Sequence, residues 1–494
     1  MNTRPMLNAY PDSMAGRLAG AAALLSEEPL KGVFSSFYIL PSLYHHDLDR
    51  GFSVVDYDIN EELASKEDLN RLRELGIDLK LDFVLNHASA RSPQFMNLVH
   101  RGEDSEYRDF FIDWNRFWEG CGEMTDEGYI RPRQEYLDVM FFRKPGLPLL
   151  MVEFPDGTKH PYWNTFYQEV RDGEYYGQMD LNVKSDKVWE FYEDTLKKLA
   201  SYGAATVRLD AFAYADKEVG ERNFLNEPGT WDLLEKVRSI AAPKGLELLP
   251  EIHASYSEGV YRQIADKGYV GYDFFLPGLL IDAIANGRTD YLARWAREIV
   301  DTDMKLVNML GCHDGIPVLD LKGFLPDSDI DGLIDLIVSR GGLVKNLHGQ
   351  TNMYYQVNAA YYSALGADDA AMLLARAIQL FMPAKPQIWY LDLFAGENDI
   401  EAASRGESSH KEINRTNLTE EQIREALKKP VVAEQLELIR LRNQHPAFGE
   451  GAKVTVDNEP GTLTLTWENG DAKAELRADL KNKSYEIEAS PVPA

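Results

Sequence analysis

Eight short apolar runs, each closed by a polar or charged turn and most followed by a helical pattern, set the tightest limit on what this chain can fold into. They are Met6 to Tyr10, Val33 to Leu40, Leu79 to Leu85, Ala205 to Phe212, Leu246 to Ile252, Tyr269 to Leu276, Leu306 to Leu310 and Gln387 to Leu393. Runs this apolar and this short read as parallel strands buried on both faces. Helical stretches such as Glu190 to Ser201 and Trp231 to Ala241 lie between them, which predicts an α/β chain built as a (β/α)8 TIM barrel. Periodicity alone also admits an open, doubly wound sheet.

Two spacings exceed a plain strand–helix unit: Leu85 to Ala205, which is mixed and aromatic, and Leu310 to Gln387. They predict inserted domains after strands 3 and 7, on the face of a barrel where catalytic loops sit. From Ala452 the pattern changes to alternating runs, Val454 to Val456, Leu463 to Trp467 and Tyr485 to Ile487, separated by Glu-Pro-Gly and Asn-Gly turns. That is a small C-terminal antiparallel β domain. The expected division is barrel at 1–86, 185–315 and 367–451, insertions at 87–184 and 316–366, and the β domain at 452–494.

Charge narrows the partners. With 52 Lys plus Arg against 80 Asp plus Glu, the net charge is −28, which repels nucleic acid and anionic membrane alike. Two cysteines, Cys121 and Cys312, make neither a disulfide framework nor a zinc site. The apolar stretch Ala15 to Leu25 has little basic charge ahead of it and is interrupted by Arg17, so it does not read as a secretion signal. A cytoplasmic protein is expected, a monomer or homodimer, acting on small molecules.

Acidic residues interrupt the apolar runs at informative places. Asp210 closes Thr-Val-Arg-Leu-Asp, Glu251 closes Leu-Glu-Leu-Leu-Pro-Glu, and His313-Asp314 closes Leu-Val-Asn-Met-Leu-Gly-Cys-His-Asp. One such acid is most simply a helix N-cap. Three of them, 41 and 63 residues apart, meet only if the strand ends converge on one barrel mouth. Paired carboxylates suit glycosyl transfer, one protonating the leaving oxygen and one attacking the anomeric carbon. Arg208, two residues before Asp210, shares its strand face and is expected to favour its ionised form.

The segments Asp82-Phe-Val-Leu-Asn86-His87, Val207-Arg208-Leu-Asp210, Pro250-Glu251-Ile-His253 and Cys312-His313-Asp314 resemble the four sequence regions of the α-amylase family, glycoside hydrolase family 13, and Gln178-Met-Asp180-Leu-Asn182 resembles its fifth. The resemblance implies Asp210 as nucleophile, Glu251 as general acid/base and Asp314 as transition-state stabiliser, with Arg208, His87 and His313 orienting the glucosyl unit. Within the family, Asp49-Arg-Gly51-Phe52, Tyr355-Gln356-Val-Asn and Glu412-Ile-Asn414-Arg415 are most similar to the sucrose phosphorylases. That similarity implies that Asp49 and Arg415 bind glucosyl hydroxyls and that Phe52 and Phe166 clamp the sugar. It also implies that Tyr214, His253 and Gln356 help admit phosphate, with Gln178, Met353 and Tyr355 among the substrate-binding residues. No metal and no cofactor are expected; inorganic phosphate is the co-substrate.

The resemblance therefore implies a retaining phosphorylase converting sucrose and phosphate to α-glucose 1-phosphate and fructose through a β-glucosyl ester. Alternatives are phosphorolysis of glucosylglycerol, glucosylglycerate or sucrose 6′-phosphate, an α-glucosidase or transglucosidase, and an inactive scaffold barrel. Three departures fall where the acceptor is expected to bind, one of them an extended Tyr129 to Asp138 region. Met353 replaces an Asp commonly used on fructose, and Tyr167 to Gly177 is longer than the usual link, so a tyrosine such as Tyr175 or Tyr176 is a candidate replacement. Arg143-Lys144 reads either as solvated surface or as a cation approaching phosphate.

Overall fold

The computed structural model describes residues 2–346, 354–405 and 407–491. Eight parallel strands form its centre: β1 (Met6–Ala9), β2 (Ser36–Ile39), β3 (Asp78–Val84), β4 (Ala204–Asp210), β5 (Glu247–Pro250), β6 (Gly271–Asp273), β7 (Leu306–Met309) and β8 (Lys385–Trp389). Their spatial order is β5-β4-β3-β2-β1-β8-β7-β6, and β5 touches β6 at the seam, so the sheet curls into a nearly closed (β/α)8 barrel.

Each strand grows from the apolar run that predicts it, with three differences in extent. The run Tyr269 to Leu276 yields only three strand residues, because Leu276 already begins the helix Leu276–Asn286. The run Gln387 to Leu393 stops pairing at Trp389, and Tyr390–Leu393 turns helical. The run from Val33 pairs only from Ser36. In all three an apolar stretch continues through a strand end, and an apolar stretch alone does not separate strand from buried helix.

The helix predicted from Glu190 starts four residues earlier, spanning Asp186–Ser201. Val188, Tyr192, Thr195, Leu196 and Leu199 form its buried face, at the three- and four-residue spacing of an amphipathic helix. Ser65 and Asp68 make a reciprocal capping box on the helix Lys66–Glu74, satisfying two amides that the helix start leaves unpaired.

Between β3 and β4 the chain forms short hairpins around a core of its own, Ile112, Trp114, Trp118, Ile130, Met140 and Trp163. Its strand Glu174–Asp180 pairs with His87–Ser89 directly after β3, seating this segment beside the barrel mouth. Between β7 and β8 lie the helix Asp327–Ser339 and the pairing of Leu343–Asn346 with Tyr354–Asn358. The C-terminal sheet has four strands, Lys453–Glu459, Thr462–Asn469, Ala472–Asp479 and Ser484–Ser490. The third escapes the sequence reading because its inward residues include Ala472, Ala474 and Ala478, which bury well but carry no β signature. No helix among the described residues is long and apolar enough to cross a membrane.

Candidate active site

Strand register assembles the acids. The β3–β4 ladder sets Arg208 opposite Asp82, and the guanidinium Nη1 donates to Asp82 Oδ1 at 2.7 Å and to Asp210 Oδ1 at 2.8 Å. Its Nη2 stands 3.7 Å from Glu251 Oε2, just past the end of β5. One buried guanidinium thus faces three carboxylates from three neighbouring strands. Immediately after Asp210, Ala211 adopts a left-handed conformation (φ 53°), which folds the chain into the short turn Phe212–Tyr214. A non-glycine residue held there costs about 1–3 kcal/mol, and such strain gathers at functional sites.

Asp314 lies past β7. Its Oδ1 accepts from Lys411 Nζ at 2.6 Å, its Oδ2 is 3.2 Å from His313 Nε2, and Arg415 Nη2 stands at 4.0 Å. Burial alone would raise this carboxyl, but Lys411, then His313 and Arg415, outweigh it and hold Asp314 well below the usual range. Asp210 is pushed up to about 7 by burial and then by the Glu251, Asp82 and Asp314 charges, so the arginine expected to keep it ionised is outweighed. Glu251 goes the other way: Arg208 and His253 outweigh its burial and favour the anion.

The expected glucose-binding residues meet here. Phe52 stacks on His313 with centroids 4.9 Å apart and planes at 14°. Asp49 Oδ1 lies 3.7 Å from Arg415 Nη1, and Arg415 Nε donates to the His313 carbonyl at 2.7 Å. Asp49, Arg50 and Gly51 all have positive φ, at 48°, 48° and 111°. Arg50 ties this turn down, reaching Asp12 at 3.0 Å and the Arg415 carbonyl at 3.0 Å while covering the Tyr10 ring. His87 accepts from the Asn86 amide at Nδ1 and donates from Nε2 to the Phe52 carbonyl at 3.0 Å; burial lowers it to about 4, so it is neutral. His313 is likewise lowered by burial, to about 3.

Around Glu251 stand the residues expected to admit phosphate. His253 bridges Glu251 Oε1 (3.3 Å) and Asp320 Oδ2 (3.1 Å). Arg143 is enclosed by the rings of Tyr355, Phe166 and Tyr214, at 4.9, 5.8 and 5.9 Å. Among the described residues no carboxylate comes within 4.0 Å of it. Phe166 meets His87 and Tyr214 edge-on. Lys144 has its amine on Asn164 and Gln168 instead, and burial lowers it to about 8.

Several expected residues have hydrogen-bond partners within the protein. Gln178 donates to the Phe52 carbonyl and accepts from the Tyr167 amide, so it holds the clamp from behind. Gln356 donates to Asn358 Oδ1 at 3.0 Å. Tyr175 and Tyr176 are engaged elsewhere: the Tyr175 hydroxyl accepts from the Glu153 amide, and Tyr176 lies under Arg91 and Arg171. The long link Tyr167 to Gly177 is a hairpin, Gln168–Arg171 with Glu174–Asp180, turning at Asp172-Gly173 with both φ positive. Met353 lies outside the described residues.

Sequence reasoning did not single out Lys411, Asp320 or Lys217. Lys411 immediately precedes the Glu412-Ile-Asn-Arg415 motif, which was the available signal. Lys217 is the least legible: its buried ammonium donates to Asn86 Oδ1 at 3.0 Å and the Tyr214 carbonyl at 2.5 Å and pairs with Asp180 at 2.7 Å. A carboxylate, an amide oxygen and a peptide carbonyl are oxygen ligands suited to a hard divalent cation, and here an amine fills their centre.

Comparison with known proteins agrees with this geometry. Residues 30–266 match the α-amylase catalytic domain. The chain is 55% identical to a sucrose 6(F)-phosphate phosphorylase of Ilumatobacter coccineus over 98% of this chain and 95% of that protein. It is 34% identical to a sucrose phosphorylase of Streptococcus mutans, over 98% and 97%. The crystal structure of sucrose 6F-phosphate phosphorylase from Thermoanaerobacter thermosaccharolyticum superposes with a TM-score of 0.90 at 33% identity, covering 99% and 96%. The fold and this wall of carboxylates define a member of the α-amylase family. Within it, the chain belongs to the sucrose phosphorylase type of glycoside phosphorylase, and is an enzyme.

Proposed function

We propose that the chain is a retaining phosphorylase of a sucrose-type α-glucoside, with Asp210 as nucleophile, Glu251 as general acid/base and Asp314 as stabiliser of the charged transition state. The observation that carries this is the single guanidinium of Arg208 set against Asp82, Asp210 and Glu251 at the strand ends. Glu251 protonates the glycosidic oxygen as Asp210 bonds to C1 and the C1–O bond to the leaving group breaks; phosphate then attacks C1, the ester bond to Asp210 breaks to release its carboxylate, and Glu251 takes the phosphate proton. Two inversions leave α-glucose 1-phosphate. His313, Phe52, Asp49 and Arg415 hold the glucosyl ring, and Arg143 receives the incoming phosphate. No cofactor takes part, and Lys217 takes the place of a bound cation.

For the donor, sucrose phosphorylated at the fructosyl 6-position is favoured, and sucrose itself, the donor the sequence favours, is the second reading. Identity supports the first, at 55% to a relative named for the phosphorylated sugar against 34% to one named for sucrose. So does charge: an Asp at position 353 would repel a phosphate on the fructosyl unit, and Met353 removes that repulsion. The test compares kcat/KM for the two donors under saturating phosphate, with glucose and glucose 1-phosphate both measured. A preference for the phosphorylated donor of roughly tenfold to a hundredfold, in line with a charged contact worth about 1.5–3 kcal/mol, is expected. Equal constants would return the donor to sucrose, and free glucose as the sole product would replace phosphorylase with hydrolase.

A further inference from the structure

We infer that His253 is a catalytic proton carrier for Glu251, and that Asp320 is the positioning residue that makes it one. This rests on the reading of Glu251 as the acid/base. The three groups form a line: Asp320 Oδ2 lies 3.1 Å from Nδ1 of His253, whose Nε2 lies 3.3 Å from Glu251 Oε1. Asp320 is buried, His253 and Glu251 keep a small exposed edge toward the pocket, and they come from different parts of the barrel, Glu251 and His253 from the loop after β5 and Asp320 from the segment after β7.

The imidazole cannot easily turn away. It stacks on Phe274 with centroids 3.8 Å apart and meets Tyr355 edge-on at 5.2 Å. Asp320 is fixed too, because its carbonyl accepts from the Tyr256 amide at 2.9 Å and the neighbouring Val318 and Leu319 amides bond to the Tyr355 carbonyl. An imidazole with a carboxylate on each nitrogen carries a proton on both. When it gives one up, the bond to Asp320 keeps Nδ1 protonated, so the proton leaves from Nε2 toward Glu251. Burial alone would lower His253, but Asp320 and then Glu251 push it to about 10. The other charged and titratable groups around this line are Arg208 and Asp210 from β4, Tyr214 from the turn after it, Asp314 from the segment after β7, Arg143 from the segment between β3 and β4, Tyr272 on β6 and Tyr355.

The balance closes over one turnover. The pair begins as imidazolium and carboxylate. The proton passes from Nε2 to Glu251 and on to the glycosidic oxygen as the C1–O bond breaks, leaving a neutral imidazole and a carboxylate. In the second half-reaction Glu251 takes the proton of the attacking phosphate and returns it to Nε2. This explains how a glutamate held below the usual range works as an acid: its proton is stored on His253 Nε2, 3.3 Å away.

The experiment compares a sucrose-type donor, whose leaving oxygen needs a proton, with α-glucosyl fluoride, whose fluoride needs little. Asp320→Asn and His253→Gln are assayed on both donors across pH. The expected result is a loss at least tenfold greater on the sucrose-type donor than on the fluoride. The alkaline limb of kcat/KM for that donor should also fall at lower pH in Asp320→Asn, because removing the carboxylate lowers the pH at which His253 loses its proton. Equal losses on both donors with an unmoved alkaline limb would overturn the relay and leave a structural role. Glu251→Gln runs in parallel: if it too treats both donors alike, the acid/base assignment itself falls, whereas a split there with none at Asp320 and His253 sinks only the relay. If Asp320→Asn does not fold, the donor ratio of His253→Gln decides.

Discussion

The two sides of the pocket differ in how their charges are balanced. On the glucosyl side each wall carboxylate has its cation, Asp210 with Arg208 at 2.8 Å, Asp314 with Lys411 at 2.6 Å and Asp49 with Arg415 at 3.7 Å. Such a surface suits a neutral hexose, whose hydroxyls are met by already oriented donors and acceptors. On the far side of Glu251, Arg143 sits among three aromatic rings with no carboxylate within 4.0 Å among the described residues. In a chain of net charge −28, a partly exposed cation without a carboxylate partner among the described residues is what the proposed reception of phosphate at Arg143 requires.

The strongest challenge to that contrast is Asp210→Asn. The amide keeps the shape and its place beside Arg208 but cannot form the ester, so kcat should fall by several powers of ten, each about 1.4 kcal/mol, with the melting temperature little changed. Near-normal turnover would end the nucleophile assignment. Lys217→Met tests what seats the segment between β3 and β4 against the mouth. It leaves Asp180 buried without its cation, and a loss of about 3–5 kcal/mol in unfolding free energy is expected from denaturant titration. A variant as stable as the parent would mean that the remaining bonds from Thr165 and Asn86 suffice.

Arg143→Met addresses the unbalanced cation directly. Its KM for phosphate should rise roughly tenfold to a hundredfold, the equivalent of about 1.5–3 kcal/mol, while hydrolysis of the same donor persists. Parallel loss of both activities would place Arg143 on the glucosyl side instead. The smallest effect is expected at the hairpin tip, where the exposed Arg171–Glu169 pair should matter little. Arg171→Ala is expected to shift stability by less than about 0.5 kcal/mol and leave donor ranking unchanged, and a changed ranking would bring the hairpin into the acceptor site.

The barrel and its acids were legible because a charge at the end of a buried apolar strand is costly, so Asp210, Glu251 and Asp314 stand out against their neighbours. The convergence of those ends follows from barrel geometry and needs no contact to be foreseen. Lys411, Lys217 and Asp320 were not legible for the opposite reason. In Ser-His-Lys-Glu or Ala-Asp-Lys-Glu a lysine looks like solvated surface, and only the packing of segments 131 residues apart puts Lys217 on Asn86. The acceptor side suffers most from this, since its shape depends on loops whose residues carry no periodic signal. Tyr175 and Tyr176 illustrate it: adjacent to the pocket in sequence, they are spent on Glu153, Arg91 and Arg171.

The turn Asp49-Arg50-Gly51 has a consequence for how this pocket wall can change by descent or by design. A Cβ at position 51 would lie 2.2 Å from the Pro41 carbonyl carbon and from the Ser42 amide nitrogen, both backbone atoms that cannot swing aside. Every non-glycine allele there is therefore closed. At position 49, φ of 48° favours Asp, Asn or Gly and penalises β-branched residues, whatever their chemistry toward the sugar. A saturation library across the turn should thus return almost no folded diversity, and any change of sugar selectivity is directed to other walls, at Phe52, His313 and Lys411, none of which has a positive φ.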